Sequence, residues 1–238
     1  MPTSRPASPV VPSTSLSARF AALQAERERS WPPEQLARNA GQRRALVERA
    51  GSVAHPAPGA RLAPFVLRDA AGVKVDGARI VADGPAVLLF FRFGGCPACN
   101  IALPYYNETL YPALAAAGIP LLAVSAQNPV DPGPTARHGL RFPTYADPGY
   151  ALSRQLGLTF FPQDQPAVTP GEPWIGATLG TDSYEMGQPA VLVLEPGLRV
   201  RHLAVSPDWM DRPETETILA RVLGPVRDEP VREARAQA

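Results

Sequence analysis

The sequence predicts an α/β fold: a central mixed β-sheet flanked by helices, preceded by an N-terminal helical extension. Three observations carry this expectation. Val87 to Phe93 (VLLFFRF) is an apolar run of the kind that forms a strand buried on both faces. It is followed by a helical stretch ending at Gly118 and a second apolar strand, Ile119 to Gln127, an order that makes a right-handed βαβ unit. Near the C-terminus, AVLVLEPGLRVRHLAV reads as two strands about a turn at Glu195 to Gly197.

Residues 1–13 are rich in Pro and Ser and have little to bury, so they are expected to be disordered. From Ser15, Leu16, Phe20 and Leu23 recur at helical spacing, predicting a helix to about Arg29. Pro33 suits the start of a second helix, whose face is marked by Leu36, Ala40 and Leu46. Residues 14–58 are thus read as a helical extension and linker, with GSVAHPAPG (Gly51 to Gly59) as the linker proper. The main domain is placed at 59–226 and a charged tail at 227–238. APFVLRDAAGVKV reads as a hairpin turning at Asp69 to Gly72. After the first buried strand, a helix is expected from Pro97 to about Ala117. Residues 128–149 are Pro- and Gly-rich with an extended piece near Phe142 to Ala146, and Tyr150 to Leu156 reads as helical. Phe160 to Gln188 is expected to be a long loop, of the length that more often recognises or covers than merely connects. A helix from Pro213 to Leu223 closes the fold.

With 238 residues and 45% hydrophobic content, the chain can bury one substantial core. Its 23 basic and 22 acidic residues give a net charge of +1 with no basic patch, which argues against nucleic acid as a partner. No run approaches the roughly 20 apolar residues of a membrane span, and MPTSRPASPVVPSTS lacks the apolar segment of a secretory signal. The expected compartment is therefore the cytoplasm, with no membrane association.

Chemistry is concentrated in FGGCPACN, which holds both cysteines of the chain, Cys96 and Cys99. At the end of a strand and the start of a helix, a thiol meets unpaired N–H groups and the positive end of the helix dipole, which stabilise a thiolate. One helical turn brings the second sulfur within reach, and Pro97 stiffens the turn where a missing N–H costs nothing. The plainer readings are two small core residues or half of a metal site. A zinc site needs two more ligands, and the three histidines, His55, His138 and His202, are scattered. Gly94 and Gly95 do not make a dinucleotide fingerprint. No cofactor and no metal are expected.

The strand LLFFRF, the CPAC turn and the helix after it resemble the thioredoxin fold. Pro104, five residues after Cys99, resembles its helix-kinking proline, and Pro189, directly before AVLVL, resembles the cis-proline that sits against the dithiol and shapes the substrate groove with its neighbour Gln188. The order of elements resembles the alkyl hydroperoxide reductase/thiol-specific antioxidant (AhpC/TSA) superfamily, the peroxiredoxin-like proteins, in a C-x-x-C subgroup. The resemblance covers about Arg61 to Leu223. It implies a thioredoxin-like domain, a hydroperoxide or disulfide substrate, a thiol reductant such as thioredoxin or glutathione, and allows a homodimer. The chain departs from the family signature: aligning the peroxidatic cysteine with Cys99 puts Cys96 where Thr stands and Arg92 where Pro stands. Gly95 replaces the Trp of thioredoxin, and Phe90 its buried acid.

Two mechanisms follow from the resemblance. In a peroxidase Cys99 attacks the hydroperoxide and Cys96 resolves the sulfenic acid; in a disulfide reductase Cys96, as the more exposed sulfur, attacks and Cys99 resolves. The peroxidase is the first expectation. Arg92 supports a thiolate in either scheme or is an ordinary surface charge. A third reading is a non-catalytic binding module that uses the 160–188 loop as its contact surface.

Overall fold

The computed structural model describes residues 14–128 and 133–224; the expectations for the N-terminal 13 residues and the charged tail lie outside them. Helix α1 (Leu16–Ser30) begins at Ser15, whose hydroxyl accepts from the Ala18 N–H at 3.1 Å, and α2 (Pro33–Arg49) begins with Pro33 in its first turn. Both helices form where expected; on α2, however, only Leu46 of the expected face is buried, Leu36 being partly exposed and Ala40 exposed. Strands β1 (Val66–Arg68) and β2 (Lys74–Asp76) form the hairpin, whose turn is held by Asp69 Oδ1 accepting from the Ala71 and Val73 N–H groups. A one-turn helix α3 (Gly77–Ile80) follows, too short to leave a periodic signal; a side chain at Gly77 would lie 2.4 Å from the Phe65 ring.

Strand β3 (Ala86–Phe90) leads to α4 (Cys99–Ala116), which ends before Gly118 at φ +70°, and then to β4 (Leu121–Ser125). Next come α5 (Gly133–His138), β5 (Thr144–Ala146), α6 (Ala151–Gln155), β6 (Thr159–Phe160), α7 (Ile175–Leu179) and β7 (Met186–Gly187). Strands β8 (Ala190–Glu195) and β9 (Arg199–Val205) form the closing hairpin, and α8 (Thr215–Leu223) packs behind it. The stretch read as one long loop is therefore partly structured: β6 and β7 pair across it and α7 lies between them. Elements of two to five residues are too short to show periodicity.

The seven-stranded mixed sheet has the order β2-β1-β5-β4-β3-β8-β9. Strand β3 lies inside the sheet, parallel to β4 and antiparallel to β8, with Phe90 opposite Val124 on one side and Ala190 on the other. Its ladder with β8 stops at Phe90, three residues before the apolar run ends. The next residue of the partner strand is Pro189, which has no N–H to offer. Phe91 keeps one bond to β4, its N–H donating to Val124 O at 2.9 Å, and the chain beyond it turns toward the cysteines.

Apolar cores lie on the two faces of the sheet. One joins Leu16 and Phe20 of α1, Leu46 of α2, Leu103, Leu110 and Leu114 of α4, and Ile218 and Val222 of α8; both cysteines belong to it. Each buried Leu or Phe contributes about 2 kcal/mol of transfer free energy, so the N-terminal helices are bound by the same apolar cluster that holds the active helix. Polar ties add direction. Glu214, just before α8, accepts from the N–H groups of Leu16 at 3.0 Å and Ser17 at 2.9 Å, capping α1 from the other end of the chain. Arg43 of α2 grips Asp208 with two bonds of 2.7 Å.

Candidate active site

The turn between β3 and α4 is held from beneath by Asn100. Its side-chain N–H₂ donates to Gly94 O at 2.8 Å and Cys96 O at 3.0 Å, while its Oδ1 meets His138 Nε2 at 2.9 Å. Gln127 accepts from the Gly94 N–H, and Arg137 donates to Gly94 O. The Asn100 N–H already bonds Cys96 O at 3.0 Å, so the chain turns helically from Pro97, although the regular helix begins two residues later than expected, at Cys99. His138 is thus a satisfied structural residue beside the turn. Burial, with Arg137 nearby, holds its pKa below the ordinary value.

Both cysteines are reduced and both are closed off: Cys96 is 2% exposed and Cys99 0%. Cys96, read as the more exposed sulfur, is nearly as buried as Cys99, in the same apolar cluster as Leu16 and Phe20 of α1 and Met210 of the loop before α8, a long-range packing that the local turn does not reveal. The sulfurs differ electrostatically. Burial pushes the Cys99 thiol up, but a hydrogen bond from Cys96, the cation of Arg212 and its hydrogen bond, and the Arg92 N–H outweigh it, leaving Cys99 well below the usual thiol range. Arg212 Nη2 and the Arg92 N–H each lie 3.4 Å from Cys99 Sγ. Cys96 is pushed well up, because it donates to Cys99, is buried, and sits beside a thiolate. The donors converge on Cys99, so negative charge on the pair is better stabilised there than on Cys96.

Arginines surround the pair. Arg212 is 8% exposed and is held by its Nε donating to Trp209 O at 2.9 Å. The Arg92 guanidinium lies 4.2 Å over the Trp209 ring and donates to Met186 Sδ at 3.4 Å. Arg27 of α1, 4% exposed, lies 4.6 Å over Trp31 and donates to Met210 Sδ at 3.1 Å.

Of the residues expected at the site, Cys96, Cys99 and Arg92 come together. Pro97 is exposed on the turn, and Pro104 is accommodated inside α4, as is Pro112. Pro189 lines a narrow cavity with Phe91, Leu103, Tyr106 and Arg212, the last of which also bonds Cys99. Gln188 is buried and its N–H donates to Leu158 O at 2.8 Å; among the described residues, no hydrogen bond joins its side chain to a sulfur. Arg212 and Arg27 went unread in the sequence. Arg212 lies in an irregular loop and carries no local signal. Arg27 does carry one, because it continues the Leu16, Phe20, Leu23 stripe and so occupies a buried position.

A sequence model of the AhpC/TSA family matches residues 55–203. The chain belongs to the AhpC/TSA family. Its fold is the thioredoxin-like fold of peroxiredoxins, extended by the N-terminal helices. It is similar to peroxidoxin BcpB from Mycobacterium tuberculosis (18% identity, TM-score 0.52, 71% of this chain and 97% of that one). It is also similar to reduced Prx3 of Vibrio vulnificus in complex with H2O2 (21%, 0.52, 69% and 97%). A cysteine-to-serine mutant of peroxiredoxin 6 of Arenicola marina gives 17% identity and a TM-score of 0.53, over 68% of this chain and 70% of that one. No curated protein matches the sequence. Within this AhpC/TSA chain, Cys96, Cys99, Arg92 and Pro189 fall inside the matched segment, whereas Arg27 and Arg212 fall on either side of it. Among the described residues, no helix is long and apolar enough to cross a membrane, and no group of three or more His, Cys, Asp or Glu could hold a metal ion.

Proposed function

We propose that the chain is a thiol-dependent peroxidase that reduces hydroperoxides through a Cys96/Cys99 dithiol–disulfide cycle, with Cys99 as the attacking sulfur. The observation that carries this reading is the pair of hydrogen bonds that Cys99 Sγ receives from Arg212 and from the Arg92 N–H, beside a thiol at Cys96 that keeps its proton. A thiolate is the reactive form, and a buried guanidinium holds it without an added base.

Cys99 S⁻ attacks the outer oxygen of the hydroperoxide. The O–O bond breaks, the electron pair leaves on the inner oxygen, which takes a proton to become an alcohol or water, and Cys99 becomes a sulfenic acid. The Cys96 sulfur then attacks Cys99, forming the S–S bond and releasing water as the Cys96 proton joins the departing hydroxide. A thiol donor such as thioredoxin supplies two electrons and two protons to restore the dithiol. Arg212 acts throughout on the sulfur that bears charge, and Pro189 with Phe91 shapes the cavity on its far side. Both sulfurs are buried, so a small hydroperoxide fits the closed site better than a protein disulfide does, and reduction of the oxidised pair by a protein donor requires the turn at Cys96 to open.

The test is mass spectrometry after limiting peroxide on Cys96→Ser and Cys99→Ser variants. Dimedone trapped on Cys99 in the Cys96→Ser protein, with rapid disulfide formation in the wild type, is the expected result. Sluggish oxidation together with fast reduction of insulin disulfides would overturn it in favour of the reductase, and the absence of both activities would leave a binding module.

A further inference from the structure

Three guanidiniums lie near the dithiol, and none of the three forms an ion pair with a carboxylate among the described residues. Arg212 is spent on Trp209 O and Cys99 Sγ. Arg27 and Arg92 are not. Each reaches one methionine sulfur, a weak acceptor, and each lays its plane on a tryptophan ring. The Nε donors of both are buried with no acceptor at all. A buried donor on a cation left unmet costs more than the roughly 1–3 kcal/mol of a neutral one, and stacking on an indole does not satisfy an in-plane N–H. Two such donors beside a redox-active dithiol are a site waiting for an anion.

We propose that Arg27 and Arg92 form a carboxylate-binding site at the dithiol, so that the preferred substrate is a hydroperoxide carrying a carboxylate. Guanidinium groups are matched to carboxylates in geometry and are weakly hydrated, which suits them to a buried anion site. Entry is over Arg92, whose side chain is half-buried while its Nε points inward. Arg27 is supplied by α1, outside the segment shared with the family, so this selectivity belongs to the N-terminal extension. The choice of substrate rests on the peroxidase reading; the anion site does not.

The test therefore has a readout that needs no peroxide. The reduced full-length protein is alkylated with iodoacetate and, separately, with iodoacetamide, and the rate ratio is taken at Cys99. Thiolate fraction and opening of the site affect both reagents equally and cancel. The wild type should favour iodoacetate relative to free glutathione, and Arg27→Gln or Arg92→Gln should lower the ratio by roughly tenfold, the scale of one hydrogen bond to a charged group. Arg27→Lys should restore part of it. A wild-type ratio equal to that of glutathione, or one unmoved in both Gln variants, overturns the site. Should Arg27→Gln fail to fold, Arg92→Gln on the loop reads the same ratio. With the ratio as expected, a carboxylate-bearing hydroperoxide should outrun its methyl ester in kcat/KM; equal rates overturn the substrate assignment alone, and no turnover of either overturns the peroxidase reading while leaving the site standing.

Discussion

Arg212 Nη2 lies 3.4 Å from Cys99 Sγ, joining two residues 113 positions apart. The contact makes the loop before α8 part of the thiolate's environment, and that same loop, through Glu214, caps α1. Chemistry and the docking of the N-terminal helices therefore share one short segment.

Arg212→Met should raise the Cys99 pKa. Losing a hydrogen bond from a cation costs about 1.5–3 kcal/mol, or about one to two pKa units. The pH dependence of ultraviolet thiolate absorbance reads this directly. An unmoved curve in a folded variant would remove Arg212 from the mechanism.

In the wild type, alkylation of the two sulfurs should separate along pH. The reactive form is the thiolate, so the rate at Cys99 rises through its depressed pKa and levels off at lower pH than that of an ordinary thiol. Cys96, pushed up by its partner, should react only as the solution becomes alkaline. Peptide mapping after timed alkylation distinguishes this order from its reverse.

Glu214 should make the docking of α1 acid-sensitive. Its pKa is held down: burial opposes the charge, but Tyr105 O–H and the Ser17 and Leu16 N–H groups outweigh it. A depressed carboxyl stabilises the fold fully above its unfolded value near ~4.3 and loses that contribution as pH falls through the folded value. Fluorescence of Trp31, next to α1, should change in that acid window, and Glu214→Gln should abolish the dependence while weakening the cap.

Phe20→Ala should destabilise the protein by about 3–5 kcal/mol, since the ring is 3% exposed in the core shared by α1, α4 and the cysteines. Denaturant unfolding measures the loss. A neutral aromatic thiol reagent should at the same time reach Cys96 faster.

Reading the chain alone located the elements that have enough length to show a period. The βαβ unit around β3 and β4, the closing hairpin and both N-terminal helices were legible because each strand is an unbroken apolar run or lies beside a turn signal, and each helix is long enough to show a stripe. The dithiol was legible because both of its members sit within one turn of one another. The interior of 160–188 was not, since β6, α7 and β7 are too short to differ from coil until their partners are known. Arg27 was half legible: its place on the apolar stripe marked it as buried, but nothing local says what it is buried against.

What the sequence by itself determined is therefore the fold class, the family likeness and the presence of a dithiol at a strand-to-helix junction, all of them products of local pattern. Which sulfur carries the charge was decided only by tertiary structure. Seen locally, the turn allows either sulfur to lead, Cys99 in a peroxidase or Cys96 in a reductase; folded, Arg212 and the Arg92 N–H converge on Cys99. The physical reason is that a buried thiol's pKa is set by the charges and donors within a few ångströms, and here the strongest of these comes from a residue more than a hundred positions away.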